Sequence, residues 1–113
     1  MTAAHCEDTI ENILAVVGDH DMTINEGNEQ RIPITDFIAH PGWDPHNNDN
    51  VDDNDFAIVK LRQPIKFNDY VSPICLPSVE ENYENITAKV SGWGRIYDGG
   101  PGSDVLQQVN SKQ

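Results

Sequence analysis

The chain has 113 residues, enough for one modest domain, with 19 acidic against 7 basic side chains and a formal net charge of −12. That sign argues against nucleic acid and anionic membrane as partners, since both are bound through clustered Lys and Arg. A hydrophobic fraction of 37% with β-branched runs argues against wholesale disorder, and no apolar stretch reaches the ~18 residues of a membrane-crossing helix.

Taken in chain order, Ile13 to Val17 is a continuous apolar run closed by Gly18; being short and β-branched, it predicts a buried strand rather than a helix. An acidic loop from Asp19 to Glu29 follows. Gln30 to Ile38 alternates Ile32 and Ile34 with polar neighbours, and Pro33, which cannot donate to a ladder, predicts an edge strand or a bulge. Asp44 to Asn54, with Pro45 among asparagines and aspartates, reads as a loop. Phe56 to Leu61 predicts a second compact strand. A third acidic cluster spans Glu80 to Glu84. Thr87 to Trp93 alternates at Ala88 and Val90, and Val105 to Val109 is a short strand after the glycine-rich loop Tyr97 to Asp104. Short strands separated by turn signals, with no convincing helical period, predict an all-β, antiparallel protein. The acidic clusters read first as solvated loops, and the glycine-rich loop is no phosphate cradle, since it lacks a lysine and a strand–helix context.

Two residues stand in contexts suited to acid–base work. Hydrolysing an amide near neutral pH needs a hydroxyl made nucleophilic and a leaving nitrogen protonated; one histidine performs both transfers if an aspartate fixes its tautomer. His5 lies in Thr2-Ala3-Ala4-His5-Cys6, and Asp55 opens Asp55-Phe56-Ala57-Ile58-Val59-Lys60-Leu61. Asp52 and Asp53 are nearby competitors, but only Asp55 directly precedes the Phe-Ala pair. No serine sits in a strained, glycine-flanked elbow.

These two blocks, with Pro73-Ile74-Cys75-Leu76-Pro77 and Ser91-Gly92-Trp93-Gly94, resemble in order and rough spacing the trypsin/chymotrypsin family of serine endopeptidases. Gly18 to Asp21 and Asn25 to Gln30 are most similar to trypsin-type members, particularly arthropod digestive ones. The resemblance implies two antiparallel Greek-key β-barrels, with residues 1–70 in the later part of the first and 71–113 forming the connector and opening strands of the second, Trp93 packing there. It implies that His5 is general base and then general acid, and that Asp55 is its partly buried orienting partner. In the family's order of histidine, aspartate, serine, the nucleophile comes last, so the expectation is an internal fragment, inactive alone, in which Met1 is an internal methionine. Proteins and peptides would be substrates and protein protease inhibitors possible partners of a secreted, monomeric enzyme needing no cofactor for catalysis. The acidic loop at Asp44 to Asn54 would overhang the substrate cleft and favour basic residues in extended substrates. The alternatives are a non-catalytic homologue serving as a binding or regulatory module and, more remotely, a calcium-responsive structural fragment.

Cys6 and Cys75 could pair with each other, stay free, or be half-cystines bonded to residues outside this stretch; the resemblance favours the last. Calcium takes six to eight oxygens, which an acidic loop of about a dozen residues can supply. By resemblance, Asp19 and Glu29 would ligate through carboxylates, Asp21 and Ile24 through backbone carbonyls, and Glu26 through a water. Asp19 replaces a commoner glutamate there, which shortens the reach. Zinc at His20, His40 and His46 has neither spacing nor thiolate to support it. Asn85-Ile86-Thr87 is an acceptor triplet for N-glycosylation.

Overall fold

In the β-branched segments, period-two alternation decides which residues meet. The computed structural model describes residues 1–46, 53–78 and 83–112. The middle of the Asp44 to Asn54 loop, including Asp52, and the first acids of the Glu80 to Glu84 cluster lie outside the described residues. The chain forms two units, one of Met1–Val17 with Gln30–Lys66 and the other of Gly18–Glu29 with Phe67–Gln113.

In the first unit, strands β1 (Leu14–Val17), β2 (Gln30–Ala39) and β3 (Ala57–Leu61) form an antiparallel sheet in the order β1-β2-β3. Ile32 and Ile34, two residues apart on β2, share a face and are 1% and 2% exposed; Ala4 and Ala57 are buried with no exposure. Among the described residues, these four make the first unit's buried set. Two expectations need correcting. Pro33 does not mark an edge, because β2 is the central strand; it faces Leu14 across the ladder and its carbonyl accepts the Arg62 N–H at 2.9 Å. The register against β3 shifts between Ile34 and Asp36, a bulge or irregularity that lies just after Pro33 and not at it. The run ending in Val17 is a strand but not a buried one, since Leu14 and Val16 are exposed. As an edge strand paired only with β2, β1 turns alternate side chains to opposite faces of the sheet, and only Ala15 and Val17 gain partial cover.

In the second unit, β4 (Thr87–Gly92) and β5 (Gln107–Lys112) pair antiparallel, Thr87 opposite Lys112 and Val90 opposite Val109. Strand β5 starts two residues later than the sequence suggests, because Val105 instead bridges Asp21. The acidic loop is tied along this stretch: the Met22 N–H donates to the Asp104 carbonyl at 3.0 Å, and the His20 carbonyl accepts the Leu106 N–H at 2.8 Å and the Trp93 indole N–H at 3.1 Å. The loop leaves β1 through Gly18 at φ 77, where a Cβ would stand 2.6 Å from the Asn28 carbonyl oxygen. The helical structure among the described residues is two single 3-10 turns, Ala4–Cys6 and Ile10–Asn12.

Candidate active site

His5 is carried by the 3-10 turn Ala4–Cys6, closed by the Cys6 N–H on the Ala3 carbonyl and the Glu7 N–H on the Ala4 carbonyl. Ahead of that turn, Thr2 pairs with Ala57 through two reciprocal backbone bonds of 2.9 and 2.7 Å. This isolated bridge sets the site: His5 follows Thr2 by three residues, Asp55 precedes Ala57 by two, and the antiparallel crossing brings them together although they are 50 positions apart. Ala4, the first residue of that turn, is fully buried, so a longer side chain there would displace the turn.

Both carboxylate oxygens of Asp55 are engaged by the same residue. Oδ2 lies 2.6 Å from His5 Nδ1, and Oδ1 accepts the His5 backbone N–H at 2.8 Å. The Asp55 side chain is 15% exposed and that of His5 64%, so the ring is open to solvent while its anchor is largely covered. The ring hydrogen bond, then the backbone one, holds the Asp55 carboxyl below the usual aspartate range. An ionised carboxylate can only accept, so the shared proton sits on Nδ1 and the lone pair is left on Nε2. The pair is therefore poised to take up a proton at Nε2.

The flanks of Asp55 are fixed by residues the sequence reading did not single out. Asn54 adopts φ 62, the left-handed region that asparagine tolerates better than most residues. Its side-chain amide donates to the Gly42 carbonyl at 3.3 Å, and its own carbonyl accepts the Phe56 N–H at 2.7 Å. On the other flank, the His40 N–H donates to the Phe56 carbonyl at 2.9 Å, the two rings lie 4.5 Å apart, and His40 Nδ1 accepts the Gly42 N–H at 3.1 Å. The available signal was an asparagine within a string of turn formers immediately before Asp55.

The remaining candidates are placed as follows. In the acidic loop, Glu29 accepts the Glu26 N–H through Oε1 at 2.7 Å and the Gly27 N–H through Oε2 at 2.9 Å, and these backbone hydrogen bonds, that of Glu26 first, lower its pKa. Asp21 Oδ1 accepts the Thr23 hydroxyl at 2.6 Å and the Thr23 N–H at 2.9 Å, which lowers its pKa likewise, and its carbonyl accepts the Ile24 N–H. Asp19 Oδ1 is buried without a hydrogen-bond partner. No three His, Cys, Asp or Glu side chains among the described residues group as metal ligands. Cys6 and Cys75 are both free and exposed, so they are not bonded to each other. Asn85, at φ 61, is exposed just before β4.

A family model described as Trypsin matches residues 1–113. Proproteinase E of Bos taurus is 40% identical over 112 residues, covering 96% of this chain and 44% of that protein. Trypsin-1 of Astacus astacus is 38% identical over 114 residues, with 96% and 46% covered, and chymotrypsin-like elastase family member 1 of Macaca fascicularis is 36% identical over 111, with 96% and 41% covered. A solved structure described as "Structure of GrC" superposes with a TM-score of 0.85 at 28% identity, over 96% of this chain and 46% of that one. The chain thus spans under half the length of the curated relatives it matches.

Proposed function

The chain belongs to the trypsin family, and from that premise we propose that the complete protein is a secreted serine-type endopeptidase in which His5 and Asp55 are two of the three groups of a Ser-His-Asp triad. The observation that carries this reading is the 2.6 Å contact between His5 Nδ1 and an Asp55 carboxylate held ionised by it. His5 would take the serine proton at Nε2 during attack on the scissile carbonyl and return it to the leaving amine. Asp55 would keep the ring in the required tautomer and offset the imidazolium charge without itself taking the proton.

The serines of the 113 residues are Ser72, Ser78, Ser91, Ser103 and Ser111, and none of them has a glycine on both sides. The nucleophile is therefore assigned to a glycine-flanked serine outside these 113 residues, and the 113 residues alone are expected to lack peptidase activity. Proteins and peptides are the proposed substrates, protein inhibitors the proposed regulators, and a monomer the working form. Relatives named as elastase and as trypsin match at similar identity, so the family reading does not depend on a choice between those specificities.

We also propose calcium as a structural ligand of the Asp19 to Glu29 loop. The buried, unpartnered Asp19 Oδ1 supports a cation there, and a set of two carboxylates, two carbonyls and a water does not require three clustered acids. Against that, Glu29 already spends an oxygen on each of two loop amides, leaving only its remaining lone pairs for a metal.

The test is turnover of peptide esters and amides by the complete protein, with and without an active-site serine reagent. Turnover abolished by the reagent and by His5→Ala supports the proposal. A folded complete protein that binds peptides but never cleaves them would move the assignment to a non-catalytic binding homologue. Turnover by the 113 residues themselves would overturn the placement of the nucleophile.

A further inference from the structure

We propose that Asn85 is an N-glycosylation acceptor, taking an oligosaccharide from a lipid-diphosphate donor; this rests on the secretory location proposed above. Asn85-Ile86-Thr87 is the one place in the 113 residues where an asparagine is followed two positions later by Ser or Thr. The middle residue is not proline, which would block acceptance. Such triplets arise by chance, and a threonine at the start of a strand can face a core, where neither it nor a glycan on its neighbour could be accommodated. Strand register answers that objection.

Thr87 is the first residue of β4 and stands opposite Lys112. Following the period of two, Thr87, Lys89 and Ser91 share one face with Lys112, Asn110 and Gln108 of β5, and all six are polar and exposed. The apolar pair Val90 and Val109 lies on the opposite face. Thr87 thus lies on the face of the pair that carries polar side chains, opposite the face of Val90 and Val109. Asn85 precedes it in a turn at φ 61, exposed, with Ile86 41% exposed between them. No hydrogen bond ties the Asn85 amide or the Thr87 hydroxyl to another described residue. A glycan at this point breaks no side-chain hydrogen bond among the described residues.

In the transfer, Asn85 Nδ2 forms a bond to the anomeric carbon of the donor sugar as the bond from that carbon to the diphosphate oxygen breaks. The amide proton goes to a base of the transferase and the lipid diphosphate leaves, so no oxidant or reductant is needed.

The experiment fuses the complete protein to a heterologous secretory leader, expresses it in a eukaryotic host and compares its mass before and after peptide-N-glycosidase treatment. Luminal delivery is verified by protease protection. The wild-type protein should drop in mass on treatment; Asn85→Gln and Thr87→Ala should start at the lower mass and not shift; Thr87→Ser should shift as the wild type does. A protease-protected wild-type protein whose mass the glycosidase leaves unchanged would overturn the proposal, as would a shift that persists in Asn85→Gln. Expression without an added leader separates the two readings. Protein retained unmodified in the cytosol, while the leader-fused form is glycosylated, would sink the secretory location and leave the acceptor standing.

Discussion

Replacing Asp55 with asparagine keeps the side chain's size and removes one property, the capacity of both terminal atoms to accept. Oδ1 receives the His5 N–H at 2.8 Å and Oδ2 faces His5 Nδ1 at 2.6 Å. An amide offers one acceptor oxygen. Setting its NH2 against the His5 N–H would oppose two donors and leave a backbone group unpaired, whereas a neutral imidazole can accept at Nδ1. The amide oxygen therefore stays on the backbone N–H and the NH2 turns to the ring, so Nδ1 must accept and the ring proton moves to Nε2. The base is lost with little change in geometry. In the complete enzyme, kcat for Asp55→Asn is expected to fall by roughly 10⁴-fold at neutral pH, the loss associated with converting a triad aspartate to its amide, while KM changes little. The assay is initial-rate kinetics on a peptide amide, with folded enzyme quantified by near-ultraviolet circular dichroism. His5→Ala should lose comparably, and the double variant should be no slower than the worse single one, since the two groups act as a unit. An Asp55→Asn enzyme within tenfold of wild type would refute the orienting role.

The same contact sets a pH dependence. The His5 hydrogen bonds depress the Asp55 pKa in the folded state, so their contribution to stability is fully present above the ordinary aspartate value of ~3.9 and is lost as pH falls through the folded pKa. Denaturant titrations at falling pH should therefore show wild type losing stability faster than Asp55→Asn; parallel losses would count against the coupling. Ile32→Ala or Ile34→Ala in the complete protein should cost about 2–5 kcal/mol in urea unfolding, because both side chains are fully buried on the central strand; a loss under about 1 kcal/mol would mean the cavity collapses or the site is not core. Gly18→Ala should destabilise more than Gly27→Ala: both positions have positive φ, but only at Gly18 does the added Cβ meet backbone, at 2.6 Å from the Asn28 oxygen. Equal melting temperatures for the two variants would contradict that. Calcium should raise the melting temperature of the complete protein, and Glu29→Gln should reduce the rise, since a ligand that binds the folded form alone stabilises it by mass action; a wild-type melting temperature indifferent to calcium would leave the loop closed by Glu29 alone.

What the sequence made legible was what is local. The sequence pattern located β2 and β4 by alternation, a period of two that the pleat itself imposes, and β3 by a compact apolar run. It misplaced the start of β5, because Val105 is drawn into a bridge with Asp21, a partner 84 positions away that leaves no periodic trace. It overstated the burial of β1, because an apolar run records what a strand can bury and not what covers it. At Pro33 the missing donor suggested an edge, but strand order, which is non-local, makes β2 central, and the register shift falls just after Pro33, between Ile34 and Asp36.

The candidate site follows the same division, and there the non-local part is the more exacting. His5 and Asp55 were each recognisable from their own blocks, yet their contact depends on the single bridge between Thr2 and Ala57. A slip of one residue in that bridge would displace Asp55 by about 3.3 Å and turn its side chain to the opposite face. A 2.6 Å hydrogen bond does not survive such a shift. The register must therefore be held by something stronger than the two backbone bonds of an isolated bridge. Ala4 and Ala57 are both fully buried, one opening the His5 turn and one in the bridge itself. Their small side chains allow the two segments to approach closely; a slip at Ala57 in either direction would bring Phe56 or Ile58, and a slip at Ala4 in one direction would bring His5, into the space an alanine fills. The alanines beside the histidine and after the aspartate are thus part of the site's geometry: they keep in register the two segments whose ends carry the proton-transfer pair.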